Sequence, residues 1–347
     1  SPATEVLELT RWQFTRLSLL GGSSEIRGER NEMRSFWTTI SLASLLALPF
    51  SQPADADVIT FGSGDNTFNM EFVAIGNPGN ADDTTGSPNP AGSVAYAYNI
   101  GKYEVSEDMI TKYNANFGTA NGLEITKDSR GANKPATKVS WNEAARFVNW
   151  LNTSTGGSAA YKFTTSGVND NISLWVSSDA GYDALNPYRN SLAKYVLPSM
   201  DEWYKAAYYN PTTSTYFDYA NGSNTAPTAV ASGTGAGTAV YGQTVDQGPA
   251  DITSAGGLSP YGIMGLGGNV YEWEETSLDL NNSSGSSVRG FRGGFWDDIS
   301  PAARYGLIGF RVASLSSSAA AVPEPGSFAV LTLLGITGAA YRKRKRK

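Results

Sequence analysis

Apolar and polar residues alternate through Phe68, Met70 and Phe72 to Val73, which predicts an early strand, and the Gly/Asn/Asp/Pro-rich tract of residues 77–92 predicts a loop. The pattern tightens at Val94. A strand is predicted to end near Val105, followed by Ser106 as a helix N-cap, Glu107 and Asp108 in the first turn, and Met109, Ile110, Tyr113 and Phe117 on one helical face. Two further helices carry the same signature. Ser140 and Glu143 have capping-box spacing ahead of Ala144, Phe147, Val148 and Leu151 at i, i+3, i+4 and i+7. Ser199 and Glu202 repeat the box, with Trp203 and Ala207 on one face and Pro211 just past the end. Residues 212–257, rich in Gly, Ala, Thr, Ser and Asn, are expected to form irregular surface loop with short strands at best.

Both termini break these periods with short apolar runs. Residues 33–56 combine Arg34, an apolar stretch over about 36–50, and a small-x-small site at Ala54 and Ala56, the order of a secretory signal peptide cut after Ala56. Residues 1–32 precede that signal without a sustained apolar period and are expected to be a non-native upstream extension. After a linker at 314–321, residues 322–347 hold Val322-Pro323-Glu324-Pro325, an apolar run at 328–341 and six consecutive basic residues. That run barely reaches bilayer length, and the basic block would hold it at the cytoplasmic side. This three-part order resembles the PEP-CTERM sorting signal of Gram-negative bacteria. The resemblance implies an exosortase-type processing protease as partner, membrane contact before processing, and a final place in the cell envelope, at the cell surface or in the extracellular matrix.

Composition narrows the chemistry. The 347 residues include no cysteine and no histidine, which removes thiolates, disulfides and imidazole ligands or bases. Any metal site would be an oxygen cage for a hard cation such as calcium. The formal net charge is −6; setting aside the six basic residues of the tail and the net −1 of residues 1–32 leaves −11 for residues 57–341. An acidic body of this kind argues against nucleic acid as a partner and is compatible with calcium or neutral glycans.

Glycine, aromatic and charged residues concentrate late in the chain, as GGNVYEWEE at 267–275, RGGFW at 292–296 and GFRVA at 309–313. Together with segments at 102–115, 135–152, 195–207 and 259–275, they resemble in sequence and order the formylglycine-generating (sulfatase-modifying factor) domain family. The resemblance covers residues 94–313, preceded by a strand and polar loop at 57–93. It implies an irregular, loop-rich α+β single domain of C-type-lectin-like fold, with short helices and antiparallel strands.

The family's activity is not implied with it. Its formylglycine-forming members use two cysteines shortly after the RGG motif, and those places fall near Asp298 and Ala303. Without thiolates, the soft ligand set that Cu(I) prefers is missing and copper is not expected. The His-based iron site of the related sulfoxide synthases is missing as well. The family's calcium loop maps onto Gly268, Val270 and Glu272, although a side-chain ligand expected earlier falls at Gly265. Against this stands a local structural role, in which Glu272 caps or pairs while Tyr271 and Trp273 pack the core. Arg292 and Arg311 either contact a ligand or bond loop carbonyls, Trp296 is a core aromatic or a sugar platform, and Asp298 with Asp297 forms a solvated turn or an acid/base pair.

No residue is assigned a catalytic role. The expected function is that of an exported, non-catalytic module binding exopolysaccharide or a surface protein. The alternative is an enzyme of the cell surface, either a formylglycine-type oxidase or a carboxylate-based hydrolase.

Overall fold

A computed structural model describes residues 56–299 and 308–315. In chain order the described elements are β1 (Asp57–Phe61), β2 (Phe68–Ile75), β3 (Tyr98–Gly101), α1 (Glu107–Tyr113), α2 (Trp141–Ser154), β4 (Tyr195–Val196), α3 (Met200–Tyr208), β5 (Tyr209–Asn210), β6 (Thr215–Tyr216), β7 (Thr228–Ala229), β8 (Thr238–Ala239), β9 (Tyr271–Ser277), β10 (Arg289–Arg292), β11 (Ile308–Gly309) and β12 (Ala313–Ser314). The larger sheet has the order β1-β2-β3-β12-β4 and is antiparallel throughout. The last described strand, β12, is therefore an interior strand, between β3 and the edge strand β4. The smaller sheet is β10-β9-β11, and here β11 runs parallel to β9, as β8 does to β7. Those short parallel pairings depart from an all-antiparallel expectation. Two-residue strands leave no periodic pattern from which a direction can be read.

Local chemistry explains the helices. The Ser106 hydroxyl accepts from the Met109 amide at 3.3 Å and opens α1. Ser140 with Glu143 and Ser199 with Glu202 form complete capping boxes on α2 and α3, satisfying first-turn N–H groups that have no partner within the helix. Phe117 does not lie on α1 itself. The helix ends at Tyr113 and continues as a wider turn over Asn114–Gly118, where the Asn114 side chain bonds the backbone of Ile125 in both directions.

The apolar face of α2 packs on the larger sheet. Ala144, Phe147, Val148 and Leu151 are fully buried, and β2 contributes Phe68, Met70 and Phe72 by strand alternation. Phe147 stands at the meeting point, 6.2 Å from Phe68 and 5.6 Å from Phe310 between ring centroids. This is the loop-rich α+β class expected from the sequence. The signal and sorting segments, including Ala54 and Val322 to Pro325, lie outside the described residues, while Ala56 immediately precedes β1. Among the described residues no helix is long and apolar enough to cross a membrane.

Because the α2 box satisfies two donors at the start of the main core helix, Ser140→Ala is expected to lower unfolding free energy by about 1 kcal/mol. Urea titration of the full chain measures the change.

Candidate functional site

Strand β9 carries the densest motif of the chain, and its burial is unusual: Glu272, Glu274 and Glu275 are all buried. The strand is irregular against β10 between Trp273 and Ser277, the stretch that holds Glu274 and Glu275. Each carboxylate meets an arginine from a different segment. Glu272 takes a two-pronged contact from Arg311, whose remaining N–H groups reach the carbonyls of Gly101 at 2.8 Å and Met264 at 2.9 Å. The Trp203 indole donates to the same carboxylate at 2.7 Å. Glu274 pairs with Arg292 of β10, and Glu275 with Arg189 at 2.8 Å. Arg189 continues to Glu202 at 2.9 Å, so the residue that completes the α3 capping box also closes an ion-pair chain through the core. Against the upward pull of burial, the Arg189 guanidinium holds the Glu202 carboxyl below its ordinary range.

Charge does not balance everywhere. Glu104, 1% exposed, lies beside the Glu272–Arg311 pair, so two carboxyl groups share one guanidinium. Its Oε1 accepts from the Asn269 side chain at 2.8 Å, and its Oε2 is buried with no hydrogen-bond partner. Burial pushes the Glu104 carboxyl up to about 7, with Arg311 opposing and Glu272 adding to the rise. Gly265 makes room for it, since a Cβ there would sit 2.4 Å from Glu104 Oε1. The position where the family resemblance predicts a calcium-ligating side chain thus holds a glycine that admits a different carboxylate.

The residues singled out as candidate ligand contacts do not converge on one open cleft. Arg311 is fully buried in the centre. Arg292 is partly exposed between Glu274 and the Ser87 carbonyl at 3.1 Å. Trp296 is fully buried, 4.8 Å beneath the Arg130 guanidinium, with its indole N–H directed to the Val245 carbonyl at 3.3 Å. Asp298 Oδ2 accepts from the Tyr271 hydroxyl at 3.0 Å and the Phe295 amide at 2.7 Å, and burial raises its carboxyl above the ordinary value. Ala303 lies outside the described residues.

Calcium at Gly268, Val270 and Glu272 does not fit this geometry, because the Glu272 carboxylate is committed to Arg311 and Trp203. Among the described residues there is no group of three or more carboxylates able to hold a metal. A better oxygen is on Asn221, whose Oδ1 and Nδ2 are both buried without a partner. It borders a cavity of about 40 Å³ lined also by Asp218, Tyr219, Thr238 and Gly257. That volume suits a water or a small cation with amide, carbonyl and single-carboxylate oxygens. Asn221 and Arg189 carried no recognisable signal in the sequence, since each is a lone polar residue outside a periodic element, and Glu104 falls at the end of the predicted strand with nothing to mark it as buried.

A carboxyl group whose folded value lies above its unfolded one keeps its proton only in the folded state between the two values, so stability falls as pH rises through that window. For Glu104 the window runs from the ordinary 4.5 to about 7. Stability followed by urea unfolding is expected to decline with pH across it, and Glu104→Gln is expected to flatten that slope.

Comparison with known proteins places this geometry. The sulfatase-modifying factor enzyme 1-like domain matches residues 55–318. Among solved structures, Treponema denticola variable protein 1 is 22% identical with a TM-score of 0.49, covering 76% of this chain and 99% of that one. CarF is 18% identical with a TM-score of 0.45, covering 75% and 98%. PvdO from Pseudomonas aeruginosa is 18% identical with a TM-score of 0.40, covering 74% and 97%. No curated protein matches. With the domain model spanning most of its length, the chain belongs to the sulfatase-modifying factor enzyme 1-like domain family.

Proposed function

We propose that this protein is a non-catalytic binding module of the cell envelope, exported and processed at both ends, which engages glycan or protein at the cell surface. The observation that carries the reading is the fate of position 298. Where the resemblance places a catalytic cysteine, an aspartate is fastened by the Tyr271 hydroxyl and the Phe295 amide, in a chain with no thiol or imidazole. An oxygen ligand held in this way does not replace the soft sulfur that Cu(I) chemistry needs.

The hydrolase alternative meets a different obstacle. Acid/base work needs carboxyl groups that reach substrate. Glu104 and Glu274, both pushed up to about 7 chiefly by burial, are sealed in the core, Glu274 against Arg292. Export is supported by the order of charged, apolar and small residues at 33–56 and by the Pro-Glu-Pro, apolar and basic sequence at 322–347. An exosortase-type protease is the partner that this tail implies.

Calcium enters the same reading as a structural ion at Asn221, held by its Oδ1 and neighbouring loop oxygens, where it would tie down residues 218–221. At about ten times its dissociation constant it would add roughly 1.4 kcal/mol. That corresponds to a rise of about 3–6 °C in melting temperature for a domain of this size. The rise is expected on calcium titration and is expected to vanish in Asn221→Ala.

The catalytic question has a direct assay. The purified chain, incubated with copper, reductant and a sulfatase-motif peptide, is expected to leave the peptide cysteine unmodified by mass spectrometry. Formylglycine above the metal-free control would overturn the non-catalytic reading.

A further inference from the structure

A surface groove of about 330 Å³ runs along the C-terminal half of α2, and one of its lining residues, Tyr161, donates to Glu275 at 2.7 Å. Its walls include the rings of Phe117, Trp150, Phe163 and Trp175 together with two cations, Arg146 and Lys162, and no carboxylate lines it. The volume is at the small end for organic-ligand sites, and the combination of aromatic faces with a few fixed polar groups is the usual make-up of one.

The charge at this groove is arranged unlike that of the core. Arg189, Arg292 and Arg311 each meet a glutamate. Arg146 is also buried, yet its guanidinium donates from Nε and Nη2 only to the carbonyls of Val168, Thr165 and Gly167, and it stacks 3.9 Å from the Phe163 ring centroid. Three carbonyls orient the guanidinium without neutralising it. Nearby, Lys162 Nζ is 2.7 Å from Asp179 and 5.8 Å from the Trp175 ring centroid. In a chain of net charge −6, a ring-lined groove that presents an oriented guanidinium, hydrogen-bonded to no carboxylate and countered only at a distance by Asp170, favours an anion with an apolar face. A carboxylate oxygen can accept from the N–H groups that Arg146 keeps on Nη1, and the C–H face of a sugar ring matches the aromatic walls.

We propose that this groove binds a hexuronate residue of an acidic polysaccharide, its pyranose ring against Phe163 and Trp175 and its carboxylate on Arg146 with Lys162 alongside. The assignment rests on the binding-module reading and gives it a ligand class. Partly desolvated charge-assisted hydrogen bonds are strong enough to separate charged from neutral sugars by about tenfold or more.

The test uses the full chain, with trigalacturonate and neutral galactotriose as probes, followed by tryptophan fluorescence and calorimetry. The uronate is expected to bind at least about tenfold more tightly than the neutral trimer, with the gap shrinking as salt is raised. Trp175→Ala is expected to weaken both ligands. Arg146→Gln is expected to remove most of the gap, and should its loss of three carbonyl contacts prevent folding, the half-exposed Lys162→Gln decides, with a smaller but measurable narrowing. Equal affinity for the two trimers, a gap unmoved by Lys162→Gln, or no uronate binding would each overturn the proposal. Retention of some other glycan, insensitive to Trp175→Ala, would overturn this groove and leave the binding-module reading standing. Peptide oxidation in the copper assay would overturn that reading, with the uronate affinities scored separately.

Discussion

The fold depends on keeping three glutamates of one strand out of water while giving each a cation. Burying a carboxylate costs several kcal/mol, and the cost is offset only when a partner of good geometry arrives with further hydrogen bonds. Strand β9 sets that requirement three times within four residues, and the partners come from β10, from the loop before β4 and from the segment before β12. Such pairs add little net stability relative to apolar replacements, but one left half-made is costly. They therefore act as a check on register. Slipping β9 by one residue would carry Glu274 and Glu275 away from both arginines.

Glycine works alongside this network. Gly265 leaves space for Glu104, and Gly268, at a φ of 134°, brings the chain against the Val240 carbonyl where a Cβ would sit 2.4 Å away. The late motifs are thus dense because charges, rings and close backbone approaches are interlocked there. They mark the family by its way of building a core with little regular structure.

The helices were legible because their signals are local. Ser140 with Glu143 and Ser199 with Glu202 announce helix starts within four residues, and the apolar spacing in α2 names the buried face directly. The core network was not. In β9 both faces are buried, so period-two alternation disappears, and Glu272 reads as a calcium ligand or a local structural residue with no sign of its distant partner. Arg311 stayed open between a ligand contact and a bond to loop carbonyls for the same reason: sequence shows the charge and the flanking glycine, while the countercharge lies 39 positions away. Arg189 sits in a loop with no periodicity, and only folding brings it between Glu202 and Glu275.

The position of β12 carries a consequence for how this domain comes into being. Two residues, Ala313 and Ser314, join β3 to the edge strand β4 of the larger sheet, with Arg311 just ahead of them. A chain emerging N-terminus first would hold an open sheet and an unneutralised Glu272 until this segment appeared, so its long-range contacts would close late and together. A domain built this way cannot complete its larger sheet or its Glu272–Arg311 pair until the chain has been made as far as Ser314.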